Sequence, residues 1–184
     1  AAGGDLPDIF FAWGGECLNR FTRAGRTLDL TPYMDEDPEW RDSFLPSFLG
    51  SSVYEGKNYA VPYRSAVLYM LYNKQIFADN GLEVPTTWDE FIDVCETLKA
   101  KDINPIAFGN SDKWYTMWYV GQFNANFVDE AVRTEDYNPA SGEFTDPGYE
   151  QSVQTLLDIN DNGYFGSNVN SKDYYQVREE FIAG

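Results

Sequence analysis

Apolar positions along this 184-residue chain follow two patterns. Some form short, nearly unbroken runs, as covered strands do, and others recur every three or four residues, as on one face of a helix. Residues 8–12 (DIFFA) are the first run, introduced by Pro7 and broken by Gly14-Gly15. Residues 16–24 carry Cys17, Leu18 and Phe21 at helical spacing, and Gly25 stands where a left-handed C-terminal cap belongs. Residues 28–32 are an extended connector. A short helix over 40–49 gathers Phe44, Leu45, Phe48 and Leu49 on one side. Val53-Tyr54 and residues 59–61 flank Glu55-Gly56-Lys57-Asn58, a hairpin with Gly where positive φ is needed.

The second half repeats the alternation. Residues 66–72 (AVLYMLY) are a buried strand, and residues 74–80 are a short helix stopped by Gly81. Thr87 and Glu90 form a capping box, each accepting a backbone N–H of the other, ahead of a helix whose face is Phe91, Ile92, Cys95 and Leu98. Residues 103–108 (INPIAF) return as a strand, and residues 114–126 are helical. Tyr149, Val153, Leu156 and Leu157 mark another helix ending at Gly163, and Ser171 caps a last one running to Phe181. Strands alternating with helices predict an α/β chain.

Charge and composition remove several functions. A formal charge of −17 opposes nucleic acid or anionic lipid surfaces, which need clustered Lys and Arg. With no His, a Ser-His-Asp or Cys-His nucleophilic system, a His-ligated zinc and a His general base are excluded within the chain. Cys17 and Cys95 lie far apart, each in an apolar helical pattern, and are expected as two buried free thiols. No apolar run is long enough to span a bilayer, so no direct membrane insertion is expected. Aromatics make up 17% of residues, enough to line a ligand as well as a core. The chain stops inside a helical pattern, which suggests a fragment of something longer.

Two constellations resemble chemistry. Asp158-x-Asn160-x-Asn162-Gly163 matches the opening of a calcium loop, but the twelfth position is Val169, where a bidentate Glu is required. Asn and Gly there are also ordinary helix-stop residues. Glycoside hydrolysis needs only two carboxylates in a sugar-shaped cleft, and the acidic residues are numerous; none sits in an apolar setting that would raise its pKa at a strand end. Asp8 comes nearest, and a turn residue after Pro explains it. No cofactor is indicated.

An ordered series of segments carries a resemblance over essentially the whole chain. It runs GGDLPDIFFAWGG at 3–15, TLDLTPYM at 27–34, Trp40, Gly56 to Pro62 (GKNYAVP), Leu71-Tyr72-Asn73-Lys74, Gly81 to Phe91 (GLEVPTTWDEF) and Pro105 to Asn110 (PIAFGN). The chain is similar to the extracytoplasmic solute-binding proteins of ABC sugar importers, family 1, maltose-binding-protein-like. The likeness implies a periplasmic-binding-protein-like fold with two α/β lobes and a cleft between them. Residues 1–63 would be part of the N-terminal lobe and residues 64–184 part of the C-terminal lobe, truncated at both ends. Cys17 and Cys95 would then lie in different lobes.

The resemblance further implies a receptor that captures a mono- or oligosaccharide outside the cytoplasm and hands it to permease subunits, without catalysis. It would be periplasmic, or a cell-surface lipoprotein anchored through a segment outside this chain. A secreted glycoside hydrolase and a carbohydrate-binding module without transport are the alternatives. A pyranose has apolar faces and a hydroxyl rim, suiting aromatic platforms with polar partners. Trp13, Gly14 and Gly15 stand at the end of the first strand, beside a helix start. Trp13 could equally be a core residue, and the Gly pair, which lets a ligand approach the backbone, favours binding. Tyr63, Arg64 and Ser65 follow Pro62 where the chain would cross between lobes, and Arg64 offers a planar fork to hydroxyls or a carboxylate. Asp112 would supply a rim acceptor and Trp114 a second aromatic wall, with Trp118 one turn on assigned to the core.

Overall fold

The structure, a computed structural model, describes residues 7–64 and 66–184. The chain divides into two compact units, residues 1–70 and 71–184. Each unit is described by itself.

The first unit holds helices α1 (Glu16–Arg23), α2 (Thr31–Glu36), α3 (Pro38–Asp42) and α4 (Pro46–Gly50), then strands β1 (Val53–Tyr54) and β2 (Lys57–Asn58). The strands pair antiparallel, Val53 with Asn58 and Tyr54 with Lys57. Glu55 (φ 48°) and Gly56 (φ 77°) turn between them, both left-handed, as a tight two-residue hairpin with matching twist requires. The hairpin is stitched to the segment before α2: Leu30 N–H donates to the Asn58 carbonyl at 2.7 Å, and Asn58 N–H donates to Thr31 Oγ1 at 2.9 Å. Leu18 and Met34 are the buried apolar side chains here.

Several expectations change in this unit. Thr31 begins a helix instead of continuing a connector. Asp29 accepts the Thr31 N–H at 2.9 Å, and Pro32 sits in the first turn, where a missing N–H loses no helical bond. The helix expected over 40–49 is two helices, because Pro46 pushes Leu45 into an extended conformation (ψ 128°) and can only start a new helix. Cys17 is exposed, since Leu18 takes the inward position on α1. Residues 8–12 form no strand and leave Ile9, Phe10 and Phe11 exposed. A strand exists through its neighbours' hydrogen bonds, and among the described residues none pairs with this run.

The second unit contains α5 (Lys74–Asp79), α6 (Trp88–Lys99), α7 (Trp114–Phe127), α8 (Glu130–Asp136), α9 (Pro147–Asp161) and α10 (Tyr174–Ala183), with a single 3₁₀ turn over Val169–Ser171. The Thr87–Glu90 capping box is formed in both directions. Gly81 (φ 64°) follows α5 and Gly163 (φ 72°) follows α9, each in the left-handed conformation that ends a helix. The last helix starts later than expected. Asp173, not Ser171, caps it, in a second capping box with Gln176. Carboxylate oxygens accept helix N–H groups strongly, whereas the Ser171 hydroxyl donates back to the Asn168 carbonyl at 2.8 Å.

The core of this unit is Cys95, Ile106, Phe108, Phe123, Ile159, Tyr164 and Phe165. Phe108 and Phe165 stack with centroids 4.1 Å apart, and Tyr119 stands edge-on to Phe165 at 5.6 Å. Residues 103–108 are buried at Ile106 and Phe108 without forming a strand; one bond, Ile106 N–H to the Tyr164 carbonyl at 3.0 Å, ties them to the neck of α9. α7 packs along α9, and Gly148 permits their junction: a Cβ there would lie 2.5 Å from the Phe127 carbonyl oxygen. Asp136 is buried and accepts the N–H groups of Glu143 and Phe144, each at 3.1 Å, closing the 137–146 loop. Residues 66–72, expected as a buried strand, are exposed throughout, and among the described residues they make no backbone hydrogen bond.

Candidate functional site

In the first unit, four of the expected residues gather at one place. Trp13, Gly14, Tyr63 and Arg64 line a pocket of about 160 Å³, together with Phe11, Ser51 and Ser52. Phe11 holds the aromatic wall together, meeting Trp13 edge-on at 5.3 Å and Tyr63 edge-on at 6.0 Å. Phe11 escaped the sequence reading because it was assigned to a covered strand; its place between two exposed rings is its signature. Trp13 is 63% and Tyr63 77% exposed, so neither ring is a core residue of the described chain.

The Gly pair has a structural cause. A Cβ on Gly14 would lie 2.7 Å from the Ser51 carbonyl oxygen, and Gly15, at φ 63°, donates its N–H to the same oxygen at 2.9 Å. Two chain segments meet backbone to backbone at this point, which leaves Gly14 on the pocket wall and Gly15 behind it as the cap residue before α1. Ser65 lies outside the described residues.

Asp112 and Trp114 belong to the second unit, on a platform of their own. Asn110 builds it. Its N–H donates to the Val169 carbonyl at 2.7 Å, its side-chain amide to Asn170 Oδ1 at 3.0 Å, and its Oδ1 accepts the Thr116 hydroxyl at 2.6 Å. Ser111 N–H adds a bond to the Lys172 carbonyl at 3.1 Å. These bonds hold the start of α7 beside the start of α10. Lys113 turns left-handed (φ 61°), and Trp114 follows as the first residue of α7.

Trp114 then stacks on Tyr115 at 4.2 Å and meets Trp118 at 4.4 Å and Tyr174 at 5.7 Å. Trp118 is 41% exposed, which corrects its assignment to the core: one turn from Trp114 it packs against that ring and shows its other side to solvent. Tyr115 and Tyr174 were missed. The spacing Trp114-Tyr115-x-x-Trp118 and the Tyr174-Tyr175 pair at a helix start were the available signals. Asp112 is exposed, two residues before Trp114 in the chain.

Among the described residues, no group of three or more His, Cys, Asp or Glu side chains is placed to hold a metal ion. In the calcium-like stretch, Asp158 accepts the Gln154 amide at 2.7 Å within α9, and Asn160 turns to Asp161. No described helix is long and apolar enough to cross a membrane.

The family model for bacterial extracellular solute-binding proteins matches residues 1–184. The chain belongs to that family. It is 43% identical over 112 residues to a multiple sugar-binding protein of Streptococcus mutans, covering 60% of this chain and 26% of that protein. To the melibiose/raffinose/stachyose-binding protein MelE of Bacillus subtilis it is 34% identical over 127 residues, covering 66% of this chain and 28% of the other. Among solved structures, a chitin oligosaccharide binding protein superposes with a TM-score of 0.79 at 27% identity, covering the whole of this chain and 46% of that one. The chain thus spans about a quarter of the length of these curated relatives. Its fold is the α/β, two-lobed, periplasmic-binding-protein-like one.

Proposed function

We propose that the protein is a receptor that captures a mono- or oligosaccharide outside the cytoplasm and delivers it to the permease of an ABC importer. Residues 1–63 serve in the N-terminal lobe and 64–184 in the C-terminal lobe, with the protein periplasmic or held at the cell surface as a lipoprotein. Its task is binding, without catalysis. One observation carries the reading: each unit presents exposed aromatic rings beside polar groups. Trp13 and Tyr63 line a pocket with Arg64 in one unit, and in the other Trp118 and Tyr174 are exposed around the half-buried Trp114, two residues after the exposed Asp112. Such rings offer flat apolar area to the C–H face of a sugar while polar neighbours take its hydroxyls. The sugar-binding names of the similar proteins support it.

Calorimetry of the full-length protein against a panel of mono- and oligosaccharides tests the proposal. Saturable binding of a sugar that is recovered uncleaved is the expected result. Turnover of the bound glycan, abolished by changing one Asp or Glu to its amide, would establish a hydrolase instead.

A further inference from the structure

The pocket of the first unit is chemically one-sided. Arg64 is the one charged side chain among the described residues that line it, and no Asp, Glu, Asn or Gln is present on that lining. The chain as a whole carries 30 acidic residues against 13 basic ones, so carboxylate partners are plentiful, yet none of them stands on this wall with Arg64. Arg23 is taken by Glu16 and Arg41 by Asp42, whereas no carboxylate of the described residues lies within ion-pair distance of Arg64. The two serines on the wall have committed their protons: Ser51 donates to the Phe48 carbonyl at 2.7 Å and Ser52 to the Leu49 carbonyl at 2.6 Å.

A guanidinium has five N–H donors and accepts nothing. Sugar hydroxyls must donate as well as accept, and a site built for them alone pairs donors with carboxylate or amide acceptors. This lining has the charged donor and no carboxylate or amide, its side-chain acceptors being the oxygens of Ser51, Ser52 and Tyr63. A ligand carboxylate is the complementary group, acceptor-only and planar, matched to the guanidinium by two parallel bonds. The negative charge of the whole chain opposes an anion at long range, but at physiological salt it is screened beyond about 8 Å, and contact geometry decides the bound state.

Resting on the sugar-receptor reading above, we propose that this pocket selects an acidic sugar, a uronic acid or an oligosaccharide ending in one, with Arg64 on its carboxylate and Trp13 and Tyr63 against its ring. The test is calorimetry of the full-length protein with D-galacturonate, D-glucuronate and their short oligomers, each against its neutral counterpart. The acid should bind tighter by about tenfold or more, the range of a charge-assisted bond. In Arg64→Gln the ratio of acid to neutral affinity should fall towards one, and Arg64→Lys should keep part of the preference, as a charge without the fork. Raising salt should weaken the acid more than the neutral sugar. Neutral sugars bound as tightly as their acids by the wild type would overturn this inference and leave sugar capture standing. Binding of neither class would overturn both.

Discussion

Gly109 lies against Lys172 so closely that a Cβ on it would sit 2.6 Å from the Lys172 carbonyl oxygen and 2.5 Å from Val177 Cγ2. The carbonyl is backbone and cannot swing aside, so a methyl group must push apart the two loops that bring Trp114 beside Tyr174. Gly109→Ala should cost about 1–3 kcal/mol, the usual range for overpacking. It should also change the near-ultraviolet circular dichroism of the Trp114–Tyr174 cluster, and wild-type spectra with unchanged melting would show that the loops are free to separate.

Trp114 meets three other rings, so its removal takes away the middle of the second unit's aromatic surface. Trp114→Ala should weaken sugar binding by about 1–3 kcal/mol, as truncation of an aromatic hot spot does. Trp13→Ala should act in the same direction. Unaltered affinity in calorimetry would remove the ring in question from the binding surface.

The capping box before α6 is an isolated, local test of stability. Thr87 accepts the Glu90 N–H at 3.2 Å, and Glu90 accepts the Thr87 N–H at 3.1 Å. Thr87→Ala should cost about 1 kcal/mol in denaturant unfolding, with the slope unchanged. A loss well below half of that would mean that the end of α6 is held by its packing alone.

That box was legible in the sequence because every part of it lies within four residues. The same holds for the Gly25, Gly56 and Gly81 turns and for the α7 and α9 patterns. The misassigned strands depend on partners distant in sequence. The apolar runs at 8–12 and 66–72 look like covered strands, yet apolar composition does not supply the neighbour that covers them. For the site, residue type pointed to Trp13, Arg64 and Trp114, each an unusual residue next to a chain break. Tyr115 and Tyr174 stayed hidden because their meeting is created by loop contacts, such as those of Asn110, that span 60 residues. Cys17 failed for a smaller reason. It neighbours Leu18 on the helix, and one step of about 100° moves a side chain from the inner face to the outer.

The two thiols should therefore differ. Cys17 is exposed on α1, while Cys95 is buried in the second unit's core, where desolvation and then the nearby Glu96 push its pKa up to about 11. A disulfide reagent at neutral pH should titrate one thiol quickly in the native protein and the second only on unfolding, because the thiolate is the attacking species. Two fast thiols would show that the Cys95 core opens readily, and none on unfolding would reveal a disulfide.

Acid should loosen the 137–146 loop. Burial raises the Asp136 carboxyl, but the bonds from the Phe144 and Glu143 N–H groups outweigh it and hold the pKa below the ordinary 3.8. A carboxyl lowered on folding stabilises the fold fully above its unfolded value, and that contribution disappears as pH falls through the folded one. Melting temperature should drop on acidification below about pH 4. Asp136→Asn should make that drop shallower while lowering stability at neutral pH. An identical acid slope in the variant would assign the effect to the exposed carboxylates.

Residues 66–72 run Ala-Val-Leu-Tyr-Met-Leu-Tyr, seven positions without a charge or a proline, and their backbone donors and acceptors are not engaged by one another or by the other described residues. In amide exchange such a stretch takes up deuterium at nearly the rate of a free peptide. In a concentrated solution of the 184-residue chain, the same stretch is a ready template for a second molecule's copy, since uncharged extended segments zip edge to edge. Turbidity should therefore rise with chain concentration, and a single lysine in place of Leu68 should suppress it.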